Sequence, residues 1–243
     1  MNLVIDIGNT RTKFTVFNQG EIAISVPVDE FKAEYLDLLK NEHPQLNKAI
    51  ISSVKEYNPE LKTKLQESFK TFIVLNSETP LPIKNSYKSK QTLGNDRIAA
   101  VVGANFLYPG TNLLVIDAGS ALTYDFINEN GNYLGGNISP GINMRFKALN
   151  SFTGKLPLVC LDESNVLFGD TTETAIRAGV QNGAVFEVDK TIDTFKEFYN
   201  NLEVIITGGD VKFFDKRLKN SFFVNFNLVG IGLNRILEYN GEI

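Results

Sequence analysis

The chain opens with an almost unbroken apolar run, Leu3-Val4-Ile5-Asp6-Ile7, followed by the turn residues Gly8-Asn9-Thr10 and then by alternation through Lys13-Phe14-Thr15-Val16-Phe17. A short continuous run reads as a buried strand, and period-two alternation as its returning partner, so a β-hairpin with a polar tip is expected. Asn18-Gln19-Gly20 supplies a second turn, and Ile22 to Val28 a third strand. The same order returns in the second half. Leu114-Val115-Ile116-Asp117-Ala118 runs into the small-residue turn Gly119-Ser120-Ala121, Thr123 to Ile127 is the returning strand, and Tyr133-Leu134-Gly135-Gly136 begins a third. Laying Asp117 on Asp6 places Gly119 on Gly8 and Thr123 on Thr12, an internal repeat of two Asp-x-Gly hairpins.

Between the copies, helical periodicity predicts helices over Glu30 to Lys40, Pro59 to Lys70 and Asp96 to Tyr108, the last closed by Pro109-Gly110. Strands Ala49-Ile50-Ile51 and Phe72 to Leu75 separate them. After the second hairpin come helical patterns from Thr172 to about Asn200, a strand Val204-Ile205-Ile206, a helix near Lys212 to Leu218, a strand Phe222 to Phe226 and a terminal helix Gly230 to Tyr239. Two α/β domains of like architecture follow, 1–112 and 113–243, with a ligand cleft expected between them.

Composition narrows the function without naming it. The 24 basic and 28 acidic residues give a net charge of -4 and are scattered, which argues against a nucleic-acid partner. One cysteine, Cys160, rules out an intramolecular disulfide and fits a reducing cytoplasm. No apolar run approaches the roughly 18 residues that span a bilayer, so no membrane role is expected. With one histidine, His43, catalysis must rest on carboxylates, hydroxyls, backbone amides and basic side chains.

At the first tip, Asp6 ends a strand, Gly8 lets a ligand approach the backbone, and Asn9, Thr10, Thr12 and Lys13 add donors and a positive charge. That set suits a polyphosphate whose Mg²⁺ is held near Asp6 through water. The plain alternative is a tight hairpin with polar caps. The second tip repeats the carboxylate and the close-approach amides, and this recurrence favours a phosphate site over a chance turn. Gly94-Asn95-Asp96-Arg97 lies at the start of a predicted helix, where anions are attracted. There Asp96 could take the proton of an attacking hydroxyl, and Arg97 could pair with a substrate carboxylate. The structural alternative is that Asn95 or Asp96 merely caps the helix. Thr207-Gly208-Gly209-Asp210 forms a βα turn on which an adenosine could rest.

Taken together, Asp6-Ile7-Gly8-Asn9-Thr10, Gly94-Asn95-Asp96-Arg97, Asp117-Ala118-Gly119-Ser120-Ala121 and Thr207-Gly208-Gly209 resemble the ordered motifs of type III pantothenate kinases, over essentially the whole chain. The resemblance implies two ribonuclease H-like domains of the actin-like ATPase type with a nucleotide cleft between them. It also implies ATP-dependent phosphorylation of pantothenate, the first step of coenzyme A synthesis, with Mg²⁺ and a monovalent cation such as K⁺ or NH4⁺. It carries Asp6 to Lys13 over as the phosphate stretch, Asp96 as proton acceptor, and Tyr87 with Gly94 to Arg97 as pantothenate contacts. Asp117 would hold the monovalent cation, Ser120 would touch ATP where the family usually has threonine, and Thr172 would face pantothenate in a homodimer. The neighbouring Thr171 leaves that last register open by one. Two rival readings are a non-catalytic regulator that kept the kinase fold and another small actin-like kinase. The intact Asp6, Asp96 and Asp117 weigh against the first, and the lack of another substrate motif against the second.

Overall fold

The computed structural model describes residues 1 to 242. The chain forms two compact units. The first comprises residues 1–110 and 130–134 together with the C-terminal helix and Asn227 before it; the second comprises 111–129 and 135–226. The last helix therefore packs with the first half of the chain, where a single cut after residue 112 would leave it with the second.

The first unit is built on a five-stranded sheet. Its strands are β1 (Asn2–Ile7), β2 (Thr12–Asn18), β3 (Glu21–Val28), β4 (Lys48–Ser53) and β5 (Thr71–Val74), in the spatial order β3-β2-β1-β4-β5. The β1–β2 and β2–β3 pairs are antiparallel, whereas β4 lies parallel to β1 and β5 parallel to β4. Helices α1 (Ala33–Glu42) and α2 (Pro59–Ser68) supply Leu36, Leu39, Leu61 and Leu65 to a core with Leu3, Ile5, Phe14 and Ile51 of the sheet. Successive strand residues point to opposite faces, so Asn2, Val4 and Asp6 face the other way. On that side lie α3 (Asn95–Leu107) and the C-terminal helix Leu228–Glu242, with the Asn2 amide donating to Asn234 Oδ1 at 2.8 Å. A strand covered on both faces has no polar face to alternate with, and β1 reads as an apolar run for that reason.

The two helices of this layer meet backbone to backbone. A Cβ on Gly232 would overlap the Ala99 carbonyl, and one on Gly103 the Leu228 carbonyl, so only glycine lets them approach so closely. The short strand β6 (Lys84–Asn85) completes the unit by pairing in parallel with Asn132 and Tyr133, the first residues of β9 (Asn132–Pro140).

The second unit repeats the plan. Strands β7 (Asn112–Ala118) and β8 (Ala121–Ile127) form the antiparallel hairpin, β9 follows beside β8, and β10 (Leu202–Thr207) lies parallel to β7 as β4 does to β1. The two-residue β11 (Phe223–Val224) adds in parallel to β10. Helices α4 (Ile142–Ser151), α5 (Thr172–Phe198) and the single turn α6 (Val211–Phe214) pack on this sheet, and the C-terminal helix is thus α7. The core gathers Leu114, Ile116, Tyr124, Phe146, Val188 and Ile206. α4 had no counterpart among the expected elements. α6 and β11 are shorter than the spans Lys212 to Leu218 and Phe222 to Phe226, because each is a brief excursion between longer packed pieces.

Candidate active site

In the first unit, the parallel and antiparallel neighbours of β1 decide what surrounds Asp6. Register places Lys13 opposite it on β2 and Ser52 opposite it on β4. Burial in this three-strand setting pushes the Asp6 carboxyl up to about 7, and the nearby negative charge of Asp96 pushes in the same direction. Lys13 opposes the rise, as does the Ser52 hydroxyl, which tempers it without reaching ordinary hydrogen-bond geometry. Lys13 is itself lowered by burial, partly offset by Asp6, and its Nζ donates to Asn227 Oδ1 at 2.6 Å. The tip beyond is a tight turn in which Gly8 N donates to Arg11 O at 3.0 Å, with Asn9 and Thr10 exposed. Thr12 does not join this group. It is buried in β2 and lines the opposite face with Ile7, Phe31 and Tyr57.

Asp96 reaches the same neighbourhood from the start of α3. The cap residue of that helix is Gly94, with no side-chain cap bond, so neither Asn95 nor Asp96 serves as the cap. Asn95 instead donates from Nδ2 to Leu75 O at 3.0 Å, and the Asp96 carboxylate accepts from Arg97 N at 2.8 Å. A Cβ at position 94 would come within 2.5 Å of Asp96 Oδ1, so glycine there leaves room for the carboxylate to fold back. Arg97 is buried, with its guanidinium 5.6 Å from the Tyr87 ring centre, and Tyr87 stacks on Tyr133 at 6.0 Å. The first unit thus brings together Asp6, Lys13, Tyr87 and Gly94 to Arg97. Ser52 and Asn227 join them without having been singled out in the sequence; the one signal for Ser52 was a pair of serines closing the apolar strand Ala49-Ile50-Ile51.

In the second unit, Asp117 lies opposite Thr123 on β8 and Thr207 on β10. The register thus sets Thr123 in the place of Lys13, not of Thr12, because the second turn is one residue tighter: Gly119 N donates to Ala121 O at 3.1 Å. Ser120 is exposed at its apex. Gly208, at φ +99°, packs where any side chain would strike Asp117 and the Ala118 carbonyl, and Asp210 N closes on Ala118 O at 2.8 Å. Gly209 beside it is open to solvent. Asp210 is raised by burial. At the start of α5, the Thr171 hydroxyl is spent on a capping box with Thr174, and Thr172 stands exposed as the first helical residue. Cys160 is exposed in the loop between α4 and α5.

Two β-hairpin-led α/β units, each with an aspartate near the end of its first strand and a parallel strand alongside, make up an actin-like fold. A glucokinase from an Antarctic psychrotroph shares the fold, with a TM-score of 0.56 at 14% identity over 98% of both chains. Within that fold class the chain belongs to the type III pantothenate kinase family, whose sequence profile matches residues 2–194. A type III pantothenate kinase of Phocaeicola vulgatus is 47% identical over the full length of both chains. A solved structure from Campylobacter jejuni, described as a Baf family transcriptional activator, superposes with a TM-score of 0.60 at 26% identity, covering 99% of this chain and 100% of that one.

Proposed function

We propose that this kinase transfers the terminal phosphoryl group of ATP to the hydroxymethyl end of pantothenate, opening coenzyme A synthesis, with Asp96 as the proton acceptor. The observation that carries the assignment is the position of Asp96. It is a carboxylate set in the first turn of α3, oriented by the bond from Arg97 N, within electrostatic reach of Asp6 and next to the buried Arg97. The pantothenate hydroxyl oxygen bonds to the γ-phosphorus as the bond to ADP breaks, and its proton passes to Asp96. Arg97 and Tyr87 hold the pantothenate carboxylate end, with Gly94 and Asn95 alongside.

Asp6, Gly8, Asn9, Thr10 and Lys13 receive nucleotide phosphates, while Thr12 supports the strand from behind. Gly119 and Ser120 of the second tip and Gly208 and Gly209 of the βα turn contact the nucleotide. Mg²⁺ fits at Asp6: the carboxyl is buried beside a like charge, an arrangement that a cation relieves, and when bound the ion neutralises phosphate charge. Asp117 takes a monovalent cation, K⁺ or NH4⁺.

A homodimer in which Thr172 faces pantothenate is supported by the exposed apolar side chains Met144 and Phe152 beside an apolar hollow of about 720 Å³ between α4 and α5. The cytoplasm is the compartment assigned to the reaction, in keeping with the biosynthetic family; among the described residues no helix is long and apolar enough to cross a membrane. The test is ADP release with pantothenate, with and without Mg²⁺ and K⁺. Pantothenate-dependent turnover that requires Mg²⁺ and rises with K⁺ is expected. Its absence under every cation condition would favour the regulatory reading.

A further inference from the structure

Away from the residues assigned to substrates, Glu187 on α5 gathers two flanks of the second tip. It accepts from the Tyr124 hydroxyl at 2.8 Å and from Arg145 Nη2 at 2.5 Å. Tyr124 belongs to β8, the strand that leaves the Gly119-Ser120 turn. Arg145 belongs to α4 and fixes the other flank: Nε donates to Pro140 O at 2.9 Å and Nη2 to Ser139 Oγ at 3.0 Å, both at the end of β9. The next residue, Gly141, touches the turn itself. A Cβ there would overlap the Gly119 carbonyl and lie 2.5 Å from the Ser120 carbonyl.

The path from Glu187 to the turn is short and rigid. One carboxylate holds β8 through a tyrosine and the β9–α4 junction through a forked guanidinium, and the junction presses backbone against backbone on Gly119 and Ser120. The Arg145 side chain is only about one-fifth exposed, so these are charge-assisted bonds with limited competition from water. Burial works against ionisation of Glu187, but the bonds from Arg145 and Tyr124 prevail and hold its carboxyl below the ordinary value. Tyr124 itself is almost fully buried.

We propose that Glu187 and Arg145 are positioning residues for nucleotide binding: they set the geometry of the Gly119-Ser120 turn without touching the substrate. The inference rests on the reading of that turn as a nucleotide contact. A shift of a few tenths of an ångström in the Pro140-Gly141 backbone must move the Gly119 and Ser120 carbonyls, because no side-chain buffer lies between them.

The experiment is steady-state kinetics with ATP and pantothenate varied separately, alongside thermal unfolding. Glu187→Gln and Arg145→Lys should each raise KM for ATP about 5- to 10-fold, leaving KM for pantothenate within about 2-fold and kcat within about 3-fold. Tyr124→Phe, which cuts only the β8 arm, should raise KM for ATP about 2-fold. Val188→Ala, a cavity in the core next to Glu187, serves as the stability control and should lower the unfolding midpoint without that split. Unchanged ATP affinity in Glu187→Gln, or a rise in both KM values that tracks the midpoint as in Val188→Ala, overturns the proposal. Ser120→Ala and Asp117→Asn separate the two levels. If neither alters KM for ATP, the turn is not a nucleotide contact and the proposal falls with that reading. If both do and Glu187→Gln does not, only the positioning role is lost.

Discussion

Asp6 and Asp117 each end the first strand of a unit, and each lies beside a parallel strand that offers a hydroxyl, Ser52 in one case and Thr207 in the other. Across the hairpin they part company: Asp6 faces Lys13, whereas Asp117 faces Thr123. The first tip is a charged cluster in which a lysine and a second carboxylate, Asp96, act on the same half-buried acid. The second is a tighter turn held in place by glycine contacts and by the Glu187–Arg145 network. One backbone plan thus sets a lysine across from the strand-end aspartate in one unit and a threonine in the other.

The largest expected effect tests whether chemistry belongs to the first cluster. Asp96→Asn should lower kcat about 10³-fold while KM for ATP changes little, as loss of a general base does. A variant that turned over near the wild-type rate would remove Asp96 from the mechanism.

Asp6→Asn should cost about 10²-fold in kcat/KM, against about 10-fold for Asp117→Asn with partial recovery at high K⁺. It should also change stability in a pH-dependent way. The folded carboxyl titrates near 7 and the unfolded one near 3.8, so between these values the folded state retains a proton that the unfolded state releases. Stability contributed by this group is therefore present below about 4 and is lost as pH rises to 7. Asp6→Asn should melt about 10 °C higher than wild type at pH 8 and nearly equally at pH 4, since a rise from 3.8 to about 7 is worth about 4 kcal/mol and a chain of this size gains about 2–4 °C per kcal/mol. A constant difference across that range would mean that Asp6 is not the titrating group.

Lys13→Thr copies the cross-strand partner of the second tip into the first. It should raise KM for ATP about 10-fold and move the Asp6 titration further up, because the Lys13 cation that opposes its protonation is gone. An unchanged stability profile against pH would show that Lys13 does not govern Asp6.

The smallest effect concerns the paired threonines of α5. Thr171→Ala should lose about 1 kcal/mol of stability through its cap, and Thr172→Ala almost none. KM for pantothenate should respond the other way, rising about 3-fold only for Thr172→Ala. The reverse pattern would shift the substrate register by one residue.

The long strands and helices were legible because their apolar residues keep one period for several turns, as in β1, β7, α3 and α5. The helix α4 was hidden by its own preface. Gly135-Gly136 reads as the start of a third strand with no helix after it, whereas Gly136 packs closely on Tyr124 and Gly141, which opens α4, packs on the Gly119-Ser120 turn. Asp6, Asp96 and Asp117 could be found because a polar residue at the end of an apolar run stands out. Ser52, Asn227 and Glu187 could not, since their meaning lies in partners 46, 214 and 42 residues away, which only the folded register supplies. The repeat itself was legible, but the one-residue difference between its turns shifted Thr123 from the place of Thr12 to that of Lys13.

The contact of Gly232 with Ala99 has a temporal consequence. The helix that covers one face of the first sheet is encoded after residue 226, so a ribosome finishes every residue of the second unit before that face can be covered. Although the strands of the unit that carries Asp6 and Asp96 emerge first, a chain truncated before Leu228 would leave β1 and α3 without that cover.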